Sequence, residues 1–148
     1  MKTLTLKELK KWKPCEEYIS RFEKLYGKSA PMVYVEKQLL KDKDWSAIDF
    51  LIRKRLEKLS KRKICMFAYA VANRSLQYAY KKDIDVLKKA IGFAKKYAEK
   101  GKVDESAARS AAWSAAESAA WSVRSAAFEK EYRWQLDQLR KIEEKTFR

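Results

Sequence analysis

Ser106-Ala107-Ala108-Arg109, Ser110-Ala111-Ala112-Trp113, Ser114-Ala115-Ala116-Glu117 and Ser118-Ala119-Ala120-Trp121 form a near-repeat of four letters. It runs on through Ser122-Val123-Arg124 into Ser125-Ala126-Ala127-Phe128. Alanine loses no side-chain entropy in a helix and is its best former. No Pro or Gly interrupts the chain from Val103 to Arg148, so the stretch predicts one helix or two nearly collinear ones. A strict four-residue step drifts by about 40° per step on a helix of 3.6 residues per turn. The three-residue step at Ser122-Val123-Arg124 pulls the pattern back, to a mean period near that of 11-residue repeats. The expectation is a slender, small-residue helix against which other helices pack closely.

Working outward, composition agrees with an all-α fold. The chain has 148 residues, 47% hydrophobic and 13% aromatic, enough for one domain with its own core. Three Gly and two Pro are too few for the turns of an all-β domain. The prediction is a compact bundle of six to seven helices, with 1–102 packed around the long helix of 103–148. Such a helix would be about 65 Å long at 1.5 Å per residue. Either it bends near Ser122–Phe128, or its end projects and pairs with another copy through the seam Phe128, Tyr132, Leu136, Leu139 and Ile142. A homodimer is the favoured expectation.

The earlier helices have readable boundaries. Thr5 with Glu8 is a capping box for a first helix carrying Leu6, Leu9 and Trp12. Pro14 and Gly27 bracket a second, Cys15 to Tyr26, with Cys15, Ile19, Phe22 and Leu25 or Tyr26 in the core. Pro31 opens a third, and Asp44 caps a fourth whose Trp45, Ile48, Leu51, Ile52, Leu56 and Leu59 repeat at three and four. Ser60 caps a fifth, the most apolar. Asp83 and Asp85 begin a sixth, which Gly101 ends, and Asp104 and Glu105 open the seventh. Cys15 and Cys65 are expected as reduced, packed thiols of a cytoplasmic protein. The apolar run Ile64–Ala72 is too short to span a bilayer.

The charge is the functional signal. With 35 Lys+Arg against 20 Asp+Glu the net charge is +15 and the pI about 9.8. Such a field draws nucleic acid, nucleotides, anionic lipid or an acidic protein. Seven of the eleven residues from Arg53 to Lys63 are basic: Arg53, Lys54, Arg55, Lys58, Lys61, Arg62 and Lys63. Lys81, Lys88, Lys95 and Lys102 recur every seventh residue, with Lys82, Lys89 and Lys96 alongside. Read plainly, both are solvated faces. Read functionally, the guanidinium fork of Arg53, Arg55 and Arg62, with Lys58 and Lys63, grips phosphate. Arg74 sits inside the apolar fifth helix and either marks its polar edge or enters a pocket. Arg109, Trp113, Trp121 and Arg124 repeat the theme on the Ala/Ser track, where Trp stacks on a base and Arg pairs with phosphate. Packed aromatic knobs are the alternative. No cofactor or metal is expected, and no catalytic residue stands out: the chain lacks His, and has no glycine-rich phosphate loop.

The assembled pattern resembles a family of small Ala-rich helical proteins named as immunity proteins and frequent in bacteriophage and bacterial genomes. The likeness lies in the N-terminal Leu-rich helix, Pro14-Cys15-Glu16-Glu17, Asp44-Trp45, the apolar Ile64–Arg74 helix, Lys89-Ala90-Ile91 and the Ala-rich tract up to Phe128. The resemblance implies toxin neutralisation or phage counter-defence. Three functions therefore stand as expectations. One is a non-enzymatic binder that sequesters an anionic ligand, a nucleotide signal or nucleic acid. Another is an immunity-type protein that blocks an acidic toxin or host defence protein. The third is a non-specific nucleic-acid-binding helical protein.

Overall fold

A computed structural model describes residues 1–76, 81–121 and 127–147, leaving aside the side chains of 81–83 and 121. Among the described residues the protein is all-α, with eight helices and one very small sheet. The chain divides into two compact units, Met1–Trp45 and Ser46–Arg148.

In the first unit, β1 (Thr3–Thr5) pairs antiparallel with β2 (Ser29–Pro31), Leu4 opposite Ala30. Both central residues are buried, so three-residue strands suffice to turn one apolar side chain each inward. Between the strands lie α1 (Leu6–Lys11) and α2 (Glu16–Tyr26), and α3 (Met32–Lys41) follows them. Thr5 caps α1 by accepting from the Glu8 amide at 3.0 Å. Phe22 is buried and meets the Tyr26 ring at 5.1 Å. Arg21 bridges Asp42 at 2.5 Å and Asp44 at 3.2 Å, and Tyr18 also donates to Asp44. The Gln38 amide, with Arg21, holds the Asp42 carboxyl below the usual carboxylate range.

The second unit holds nearly all of α4 (Trp45–Leu56), then α5 (Lys61–Ser75), α6 (Lys81–Lys100), α7 (Glu105–Trp121) and α8 (Phe128–Glu144). Here α5 is the centre: it packs against α6, α7 and α8, and Ile64, Phe67, Ala68, Val71 and Ala72 are essentially inaccessible. Its approach to α7 is the most extensive of the helix pairs. Ala108, Ala111, Ala112, Ala115, Ala116, Ala119 and Ala120 form a buried stripe at spacings of three and four on α7. Small side chains on that stripe let backbones come together where Leu would hold them apart. Ser60 caps α5 through the Lys63 amide, and Asp104 caps α7 through the Ala107 amide.

Four expectations are corrected. The residues from Val103 onward do not make one long helix: α7 and α8 are separate and packed against each other. The Gln135 amide donates to the Ala116 carbonyl at 2.9 Å, which lays α8 back along α7. Helix propensity is satisfied either way, and burial of the α8 seam decides. Tyr132, Leu136, Leu139 and Ile142 are buried within the chain itself, so the seam that suggested pairing with another copy is already covered. The organising helix is α5 rather than the Ala-rich tract. Cys15 is exposed, because it precedes the first turn of α2 instead of lying on its inner face, whereas Cys65 is buried. Among the described residues no helix is long and apolar enough to cross a membrane.

Gly92 lies inside α6, exposed, with nothing within 4 Å of the position a Cβ would take. Gly92→Ala is expected to stabilise the fold by about 0.5–1 kcal/mol, since Ala restricts the unfolded chain and adds no clash. Gly101 ends α6 at φ +65°, so Gly101→Ala is expected to destabilise by about 1 kcal/mol. Urea titration of the two variants checks both signs.

Candidate anion-binding surfaces

The Arg53–Lys63 cluster joins the last turn of α4 to the first of α5, but its cations do not converge on one hollow. Arg55 lies on the apolar stripe of α4, beside Leu51, Ile52, Leu56 and Leu59, and is fully buried. Its guanidinium makes a two-pronged pair with Glu143 on α8: Nε donates to Oε2 at 3.1 Å and a terminal nitrogen to Oε1. Lys63 donates from Nζ to the Glu143 carbonyl at 2.6 Å, placing an ammonium at the negative end of the α8 dipole. Arg62 stacks over the Phe147 ring at 3.6 Å, and Arg53 over Trp113 at 5.1 Å. Lys58 is exposed. As a phosphate ligand Arg55 is therefore corrected: its fork is occupied by a carboxylate, away from water.

The remaining predicted residues lie apart. Arg74 sits over the Trp134 ring at 4.1 Å, with one terminal nitrogen 3.6 Å from the buried Glu131 carboxylate and the other buried without a protein partner. Arg109 pairs with Glu105 one turn earlier at 2.5 Å. The structure brings Arg53, Trp113 and Arg109 to one place, and Arg55 and Lys63 to another. The Trp121 side chain and Arg124 lie outside the described residues.

Sequence reasoning missed an acidic layer beside these cations. Glu131 and Gln135 are buried on α8, and Gln135 Nε2 donates to Glu131 at 3.2 Å as well as to α7. Tyr132 is buried and donates to Asp49 of α4. Burial pushes the Asp49 carboxyl up to about 6; the Tyr132 hydrogen bond opposes this, and the charge of nearby Glu117 adds to it. Burial, then the Asp49 charge, raises the Tyr132 phenol. The legible signal was the same for each: a polar residue standing where the three-and-four spacing asks for an apolar one.

The lysine stripe behaves differently. Lys88, Lys89, Lys95 and Lys96 are exposed on α6, as are Lys100 and Lys102 beyond them. Among the described residues none of these six has an ion pair. Lys88 and Lys95 run along one edge of the face and Lys89 and Lys96 along the other, about 100° apart. Asp85, Gly92 and Glu99 lie between them. Leu87 and Ala90 are buried on the opposite side, which fixes the lysines outward. The chain was compared with protein-family models, curated proteins and solved structures, and none matches it.

Two outcomes follow from the buried charges. Arg55→Met is expected to destabilise the fold by about 3–5 kcal/mol, because it leaves Glu143 buried and unpaired, and Arg55→Met with Glu143→Leu should recover much of that loss. A double-mutant cycle in urea measures the difference. Asp49 binds its proton more tightly folded than unfolded, so its contribution is greatest at low pH. That contribution is lost as pH rises from the unfolded value of 3.8 through about 6. Asp49→Asn, which still accepts from Tyr132, should gain a few degrees in Tm relative to the parent between pH 5 and pH 7.5.

Proposed function

We propose that this protein binds a polyanion, double-stranded nucleic acid, through the lysine face of α6. The observation that supports the reading is the division of labour among its cations. Among the described residues, Arg53, Arg55, Arg62, Arg74 and Arg109 are turned to carboxylates and rings of their own chain, whereas Lys88, Lys89, Lys95, Lys96 and Lys100 of α6 are exposed and without an ion pair. An ammonium is a compact point charge that neutralises phosphate without reading its geometry. The α6 helix is about 30 Å long, enough to follow several successive phosphates along a duplex.

Two further features favour a duplex over single strands or a nucleotide. No aromatic residue is exposed among the described residues of α6: Phe93 and Tyr97 are both part-buried. The stacking platforms that grip unpaired bases are therefore missing from this face. Gly92, at its centre, carries no side chain and allows the phosphate backbone to approach the helix between the two lysine edges. Binding of this kind releases counterions, has little base preference, and weakens steeply with salt. Coating or occluding nucleic acid is one way to serve the counter-defence role implied by the immunity-family resemblance.

The test is fluorescence anisotropy with a mixed-sequence duplex of twenty base pairs over a range of salt. Log affinity should fall against log salt with a slope of about −4, as expected for four to five phosphates neutralised. Reversing the face with Lys88→Glu, Lys89→Glu, Lys95→Glu and Lys96→Glu should weaken binding at least tenfold without lowering Tm. If the duplex does not bind at low salt, or if the reversed face binds equally well, the reading fails. Capture of an acidic protein through the same lysines would then replace it.

A further inference from the structure

Where α4 and α7 meet, two buried donors lack a protein partner within one helical turn of each other. They are Nε of Arg109 and the indole Nε1 of Trp113. Both residues lie on the same side of α7, four apart, and the Arg53 guanidinium covers the Trp113 ring from α4. Orphaned donors are rare in folded proteins, and each one calls for an acceptor. Arg109 has already committed a terminal nitrogen to Glu105, which leaves Nε as its buried donor without a protein partner.

We infer that Arg109, Trp113 and Arg53 form a discrete site for a small oxyanion such as inorganic phosphate or the phosphate of a monoester. The two orphaned donors supply directional hydrogen bonds and Arg53 supplies charge. An oxyanion offers several acceptor oxygens to the two donors and negative charge to Arg53. The nearest acids do not reverse the balance: Glu105 is held by Arg109, while Glu117 and Asp49 lie a turn away on α7 and α4 and interact with each other. The site is independent of the α6 lysines, since it has its own cations on other helices and takes an isolated phosphate rather than a polymer.

The indole N–H of Trp113 is the reporter. Trp113→Phe identifies its resonance among those of the five tryptophans in a ¹⁵N-labelled protein. Titration with inorganic phosphate is then compared with chloride at matched ionic strength. The expected result is a saturable shift of that resonance in phosphate alone, weakened at least tenfold by Arg109→Lys, which lacks Nε. Arg53→Met should weaken it too, and the α6 charge-reversed variant should leave it unchanged. Absence of a saturable shift would overturn the site. So would a shift that survives both Arg109→Lys and Arg53→Met, or one that disappears when only the α6 lysines are reversed.

Discussion

A guanidinium with no access to water has to be answered by a carboxylate, and in the second unit that requirement governs more than its own neighbourhood. Arg55 on α4 is answered by Glu143 on α8. An isolated buried ion carries a penalty of several kcal/mol, so α4 and the C-terminal end of α8 are obliged to meet. Lys63 reinforces the same point from α5 by binding the Glu143 carbonyl. Once α8 is fixed there it cannot continue α7, and the chain doubles back with Gln135 on Ala116. The pair is two-pronged, which Lys could not reproduce, so the geometry as well as the charge selects arginine.

That constraint also explains how much was legible in the sequence. The caps at Thr5, Ser60 and Asp104, the stop at Gly101 and the apolar stripes of α4 and α5 all follow from local chemistry, and each stands where spacing put it. The break between α7 and α8 was legible only as one of two alternatives, a bend near Ser122–Phe128, because neither Pro nor Gly punctuates it and alanine favours a helix on both sides. A tertiary contact decided it. The strands β1 and β2 were too short, at three residues each, to display an alternation. Arg55 was misread for a subtler reason. Its neighbours Arg53, Lys54 and Lys58 made it look like part of a basic patch, yet it occupies the next step of the stripe Ile48, Leu51, Ile52. Glu143 likewise follows Leu136 and Leu139 at helical spacing. Two opposite charges, each out of place on an apolar stripe, are a legible signal for a buried pair.

The same sorting decides what the surface presents. Arg53, Arg62 and Arg74 lie over Trp113, Phe147 and Trp134, where a weakly hydrated, planar cation stacks better than an ammonium would. Glu131 and Glu143 are buried, and Asp49, raised by that burial, is only partly charged near pH 6. Acids withdrawn into the interior no longer offset the cations outside. The field beyond the surface of this unit is therefore set mainly by lysines, and among the described residues the α6 face gathers them most densely. A net charge of +15 spread evenly would act as general repulsion between copies. Where part of that charge is gathered on one helix about 30 Å long, as in α6 with seven lysines against three acids, it becomes a directional attraction for a polyanion.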